Sequence, residues 1–473
     1  MAARDAAGVA TPEFGTVGIL PLGRPTFDVP YAEERLGEML AALAAAGAKL
    51  AGPRGLLFDA AATRAAIHEL QAADIDRILI LQVTFTDASM TIEIANAFDL
   101  PLAIWAIPEP RSGERLRLNS FCGLNLASHA LGLNGRKYGT LYADPLSPDI
   151  GQALAELLGG GRIAVPARTD AARVGGVSAA VAAVRGARIA RIGAHPDGFD
   201  TCAYDKGRLA ALAGITVDEL ELPALFERAK SAPASVAAGL RGEADILLSG
   251  LETVDQAQLD RSLRLKAALD ELRGEGGYDA FAIRCWPETF TEYGGAVCGP
   301  VSMMGEARVP CACEADVYGA LTTLLLQKAA EAPAFLADLV DLDIADDTGV
   351  VWHCGQAPIS MADPGFRPQA TIHTNRKMPL LFEFPLKEGR VTFFRVSQAR
   401  GETFAVIGGG EMLNRTMAFT GTSGVVRFDS GARKVLETVI GSALEHHMAL
   451  AYGDHREALE AAAAELKLPV LRL

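Results

Sequence analysis

Three short, almost wholly apolar runs, Val17-Gly18-Ile19-Leu20-Pro21, Arg77-Ile78-Leu79-Ile80-Leu81-Gln82 and Pro101-Leu102-Ala103-Ile104-Trp105, constrain the fold more than any other feature. Each of the last two follows a stretch with helical periodicity. Between Tyr31 and Ala48, for example, Leu36, Met39, Leu40 and Leu43 fall on one face. Strands without polar alternation are buried on both sides, and strands alternating with helices form a parallel sheet. Ligands bind such sheets at the loops that follow the strands. Here those loops carry Arg24, Thr26 and Asp28, then Thr84, Thr86 and Asp87.

The triplet Gly159-Gly160-Gly161 predicts a boundary near residue 160, and a second α/β unit follows. Its expected strands are Arg188–Gly193, Ala244–Leu248 and Ala280–Arg284, with helices from Lys206, through Leu272, and from Val317 to Ala330. After about residue 338 the segments Leu380–Phe384, Val391–Val396, Thr403–Ile407 and Val425–Phe428 predict a mainly β domain, with no long helix until Ala458–Leu466. The expected architecture is therefore α/β: Rossmann-like parallel-sheet domains at 1–160 and 161–337, then a β-rich domain at 338–473 with a terminal helix.

Length and composition close off several functions. A chain of 473 residues holds two to four domains, each with its own core. Its 44 basic and 58 acidic residues give a net charge of −14, which disfavours nucleic acid as a partner. No 18-residue apolar run suggests a membrane span. Seven cysteines, and a Met1–Gly15 arm without the apolar core of a secretory signal, predict reduced thiols in a cytoplasm. Gly159–Gly161 and Gly408–Gly410 lack the spacing of a phosphate-binding loop and read as plain turns. The spacing of Cys285, Cys298, Cys311 and Cys313 is not that of a zinc ribbon or finger, so these thiols are expected to serve as small hydrophobes.

The chemically informative window runs from Cys285 to Gly355. It contains Glu288, Glu292, Glu306, Glu314, Asp316, Asp338, Asp341, Asp343, Asp346, Asp347 and His353. Carboxylates with imidazole suit Mn²⁺, Mg²⁺ or Co²⁺, and the dense run of aspartates from 338 to 347 is expected beside a cation and its substrate. Glu314 stands apart because its neighbours are apolar, where an unpaired carboxylate is costly. His446-His447 is the other outlier; on a strand two adjacent side chains point to opposite faces, so only one is expected to reach a given metal.

Several of these segments resemble the L-fucose isomerase-like family, related to the L-fucose and L-arabinose isomerases. They are Arg284-Cys285-Trp286-Pro287, Pro310 to Thr322, Phe335-Leu336-Ala337-Asp338-Leu339 and Trp352-His353-Cys354-Gly355, with weaker support from Leu118–Gly123 and Gly193–Phe199. The resemblance implies a divalent ion, commonly Mn²⁺, held by Glu314, by Asp338 (or Asp341 or Asp343 if the match slips), and by His446 or His447. His353 matches a further ligand of the arabinose branch. It implies an aldose–ketose isomerase in which Glu314 and Asp338 act both as ligands and as a proton shuttle. It also implies a homo-oligomer, trimer or hexamer, whose sites are completed by neighbouring subunits. Arg24, Asp28, Thr84, Asp87 and Glu288 become candidates for binding the substrate, and Trp286 and Trp352 for stacking on it. Arg24 suits an anionic tail better than a neutral deoxysugar, so pentoses, deoxyhexoses and sulfonated or otherwise anionic hexoses all stay open. The competing readings are a sugar-binding or sensor protein, and an epimerase or lyase using the same proton abstraction.

Overall fold

The computed structural model describes residues 15–171 and 178–473; the N-terminal arm discussed above therefore lies, up to residue 14, outside the described residues. The first sheet is parallel and contains β1 (Thr16–Leu22), β2 (Lys49–Ala51), β3 (Arg77–Gln82), β4 (Leu102–Ala106) and β5 (Gly139–Tyr142), in the order β2-β1-β3-β4-β5. Its strand order reverses between β1 and β3, and the crevice at such a reversal is where ligands bind. Arg24 follows β1 and Asp87 follows β3, so both stand at that crevice.

The second sheet repeats the plan with β6 (Arg188–Ile192), β7 (Thr216–Leu220), β8 (Ala280–Ile283) and β9 (Cys311–Ala312), parallel and ordered β7-β6-β8-β9. Trp286 follows β8 and Glu314 follows β9. The segment Ala244–Leu248, expected as a strand, is instead the end of the helix Ala234–Leu247 and its cap. Ala237, Leu240 and Ala244 are buried at helical spacing while Ile246 is 81% exposed, so the 3.6-residue period outweighs the local apolar run.

The remaining strands are β10 (Phe335–Asp343), β11 (Thr348–His353), β12 (Gln369–Thr371), β13 (Leu381–Pro385), β14 (Gly389–Ser397), β15 (Phe404–Met412), β16 (Thr422–Phe428), β17 (His447–Tyr452) and β18 (Val470–Arg472). They form one sheet ordered β12-β13-β16-β11-β10-β17-β14-β15-β18. Because β15 also pairs with β16, the six strands β16, β11, β10, β17, β14 and β15 close on themselves as an antiparallel barrel. Closure removes the edges that an open sheet would expose. The expected boundary at residue 338 falls inside β10.

Two expectations about this region fail. Gly408–Gly410 is not a turn but the middle of β15, which is crowded because β15 serves β14, β16 and β18. A Cβ on Gly410 would lie 2.6 Å from the carbonyl oxygen of Arg427, and one on Gly408 2.9 Å from the Leu473 side chain. Glycine is needed there for close approach. The β-rich region also contains a ten-residue helix, Ala432–Gly441, which buries Val435, Val439 and Ile440. A large apolar core runs without a break from Leu20 and Ile80 of the first sheet to Phe335, Phe393 and Leu450 of the barrel.

Candidate active site

Barrel register aligns the first part of the site. Asp338 on β10 is paired directly with Trp352 on β11 and with His447 on β17, so directly opposite residues on three adjacent strands form one row. His353 ends β11 beside them. The turn from β9 into the helix Val317–Ala330 supplies the second part. Glu314 and Ala315 in this turn have φ of 53° and 58°, left-handed values that cost a non-glycine residue about 1–3 kcal/mol each. That strained turn places Glu314 against the barrel row. His446 Nε2 lies 3.1 Å and His447 Nε2 3.2 Å from Glu314 Oε2, and His447 Nε2 is 3.6 Å from Asp338 Oδ1. Trp286 Nε1 donates to Glu314 Oε1 at 3.2 Å.

Both adjacent histidines reach the same carboxylate, which simple alternation along a strand would not allow. His446 precedes β17 and is not bound by strand alternation, so its ring folds back to 3.9 Å, centroid to centroid, from that of His447.

Behind His447 stands Asp316, in the sequence one acid among many. Asp316 is fully buried and lies 3.0 Å from His447 Nδ1; it also accepts two hydrogen bonds from Arg395, at 2.6 and 3.1 Å, and caps the following helix by accepting from Gly319 N at 2.7 Å. Arg395 is itself 1% exposed. A carboxylate on one imidazole nitrogen fixes the tautomer and aims the other nitrogen, here Nε2, at the site.

Electrostatics separates the two carboxylates. Burial raises the Glu314 carboxyl, but the close contacts and charge of His446 and His447 outweigh it and hold the group well below the usual carboxylate range. Burial, reinforced by the negative charge of Glu314, pushes Asp338 up to about 7 despite His447. His447 is raised well above the usual imidazole value: burial opposes this, and Asp316, Cys202 and Glu314 overcome it. Burial and the neighbouring His447 charge bring His353 down to about 3 and His446 to about 4.

The donor set suits a divalent cation. Asp338 Oδ1 and His447 Nε2 are buried without a hydrogen-bond partner. Ligand atoms of Asp338, His353 and His447 lie within 4.8 Å of one another, as do those of Cys202, Glu314, His446 and His447. Cys285 and Cys313 also approach Glu314; burial pushes the Cys313 thiol well up and that of Cys202 to about 12, which disfavours their thiolate forms. All seven cysteines are free and buried.

These groups open into a cavity of about 120 Å³ whose wall includes Arg24, Phe85, Phe199, Trp286, Glu314, Asp338, Trp352, His353, Arg376 and His446. Of the residues expected to touch substrate, Arg24, Trp286 and Trp352 line it. The other four do not. Asp87 pairs with Arg24 at 2.9 Å and Thr84 Oγ1 accepts from Arg24 N at 2.8 Å, so both position Arg24. Asp28 pairs with Arg117 at 2.9 Å and caps a helix, while Glu288 pairs with Arg284 at 2.7 Å.

The aspartate run also disperses. Only Asp338 faces the site. A bulge between Leu339 and Asp341 breaks the alternation, and Asp341 instead binds Arg111 at 2.7 Å and the Tyr142 hydroxyl at 2.6 Å. Asp343 holds its own turn through Ala345 N, Asp346 pairs with Arg415, and Asp347 accepts from Ala432 N.

Residues 18–168 match the family described as "Fucose/sulfoquinovose isomerase, N-terminal domain". Among curated relatives, a sulfoquinovose isomerase of Priestia aryabhattai is 29% identical over 94% of this chain and 96% of its own length. Proteins of the same name from Clostridium sp. (strain MSTE9) and Alkalicoccus urumqiensis are each 29% identical, over 96% and 97% of this chain and 98% and 99% of theirs. Among solved structures, an A-type ketoreductase of a modular polyketide synthase aligns with a TM-score of 0.23 at 15% identity, over 64% of this chain and 81% of that one, and carries no argument.

Proposed function

We propose that this chain, which belongs to the L-fucose isomerase-like family, is an aldose–ketose isomerase acting on a hexose that carries a sulfonate. The observation that carries the reading is the juxtaposition of Glu314 and Asp338, two buried carboxyl groups of opposite protonation tendency, on the wall of a cavity that Arg24 and Arg376 also line. The names of the relatives, which span nearly its whole length, support the sulfonated substrate.

Isomerisation moves a proton from C2 of the aldose to C1 and a hydroxyl proton from O2 to O1. Glu314, ionised and oriented by Trp286 and the two histidines, takes the proton from C2 and returns it to C1. Asp338, whose buried Oδ1 has no hydrogen-bond partner and lines the same cavity, carries the hydroxyl proton between the oxygens. A divalent ion held by Glu314, Asp338 and His447, with His353 beside them, would supply Lewis-acid stabilisation of the negative charge that develops on those oxygens. Trp352, whose Nε1 donates to Thr420 O at 2.7 Å, presents a fixed ring to the cavity and offers an apolar face to the sugar. Phe85, Phe199 and Trp286 make part of the cavity wall aromatic.

The test is turnover. Purified protein supplied with Mn²⁺ and a 6-sulfonated aldohexose should give the matching ketose, followed by NMR. Absence of ketose from this sugar and from a panel of pentoses and deoxyhexoses would refute the reading and favour a binding protein.

A further inference from the structure

Arg376 lies in the loop between β12 and β13, a segment with no periodic pattern, yet it forms part of the cavity wall. Its guanidinium carbon sits 5.5 Å from the centroid of the Trp286 ring, and that of Arg24 sits 5.3 Å from the same centroid. The two cations therefore share one indole, whose Nε1 donates to Glu314. Trp286 is thus the spacer between the reacting carboxylate and a basic end of the cavity.

The two arginines differ in how their charge is compensated. Arg24 is paired with Asp87 at 2.9 Å and anchored through its backbone by Thr84. Arg376 makes no ion pair among the described residues, and the imidazole of His373 in its own loop is brought down to about 4, chiefly by burial, and stays neutral. Burial lowers both guanidinium values, and the charge of Arg376 lowers that of Arg24 further. Together with Asp87 the pair leaves one positive charge uncompensated in the wall of the cavity that Glu314 and Asp338 also line. Partly buried charge without a partner is unfavourable unless a ligand supplies one.

We infer that Arg376 is the specificity-determining residue of the site: with Arg24 across the Trp286 ring, it binds the sulfonate of the substrate and selects anionic over neutral hexoses. The inference rests on the isomerase reading above for the identity of the sugar. A guanidinium offers a planar fork of donors to an oxyanion, and charge-assisted hydrogen bonds of this kind are about twice as strong as neutral ones.

The experiment compares wild type with R376M, which keeps the length of the side chain but removes the charge, and with R376K, which restores the charge alone. Two readouts are taken: calorimetric binding of a 6-sulfonated aldohexose to the Mn²⁺-supplemented protein, and kcat/KM on that sugar and on its 6-hydroxyl counterpart. R376M should bind the sulfonated sugar about 30-fold more weakly, with the loss in KM more than in kcat and with the preference over the neutral hexose collapsing. R376K should recover part of it. Equal binding by wild type and R376M would overturn the inference even if the enzyme turns over. Selective binding without turnover would uphold it while refuting the isomerase reading, and no binding by wild type would refute both.

Discussion

Replacing Asp316 with Asn tests whether the buried charge behind His447 serves the site or only the fold. The carboxylate meets two nitrogens of Arg395, the His447 Nδ1 and the Gly319 amide, and it has no exposure to water. An amide oxygen can keep the helix cap and one Arg395 contact, but its NH₂ then faces two donors. Arg395, 1% exposed, is left with Glu445 at 3.9 Å as its remaining anion. Breaking one partner of a buried pair costs about 3–5 kcal/mol, against a total stability on the order of 5–15 kcal/mol. R395M should cost a similar amount, because it strands Asp316. The double variant removes both charges and should cost less than the sum of the singles by about 2 kcal/mol or more. Equilibrium urea unfolding of the four proteins measures this. Metal affinity should separate the two roles: it should fall about 10- to 100-fold in D316N and stay low in the double variant, because His447 has lost the carboxylate that aims it. Additive single costs would refute the ion-pair argument. Recovery of metal affinity together with stability would refute the positioning role.

Three further outcomes follow from the same geometry. Loading with Mn²⁺ should weaken as pH falls below about 7, on the order of tenfold or more per pH unit, because Asp338, raised to about 7, and His447, raised well above the usual imidazole value, must give up protons to become ligands; calorimetry in buffers of different ionisation enthalpy should detect the released protons, and a pH-independent affinity would contradict the assignment. E314Q should lower kcat by at least about 10²–10⁴-fold with an unchanged circular dichroism spectrum, and wild-type turnover would remove Glu314 from the mechanism. G198A should destabilise the protein by about 1–2 kcal/mol and raise KM for the sulfonated sugar, since Gly198 has φ of +73° and an added Cβ would lie 2.6 Å from Asp87 Oδ1, the partner of Arg24; unaltered thermal unfolding and KM would show that Asp87 yields freely.

What was legible in the sequence follows from what is local. Buried strands, amphipathic helices and the mainly β third are short-range patterns, and Glu314 stood out because its immediate neighbours are apolar. Asp316 was hidden by distance, with Arg395 79 residues away and His447 131. The one local signal for it was an aspartate immediately before the helix that starts at Val317, the position of a helix cap. Arg376 had no signal at all, being one basic residue in an aperiodic loop. The aspartates from 338 to 347 misled for the opposite reason: closeness in sequence became dispersal in space, because a bulged strand sends successive side chains to different neighbours. The strand expected at Ala244–Leu248 failed similarly, a short apolar run being ambiguous until the longer helical period around it is counted.

The central claim is that Glu314 moves a proton between adjacent carbons of a sulfonated aldose while Asp338 carries the hydroxyl proton between the oxygens. Its most direct test is isomerisation of the 6-sulfonated aldohexose in D₂O by the Mn²⁺-supplemented wild type and by E314Q, read by NMR. Wild type should form ketose with solvent deuterium at C1 and place deuterium at C2 of recovered aldose, while E314Q does neither. Ketose formation or deuterium exchange that persists in E314Q would contradict the account.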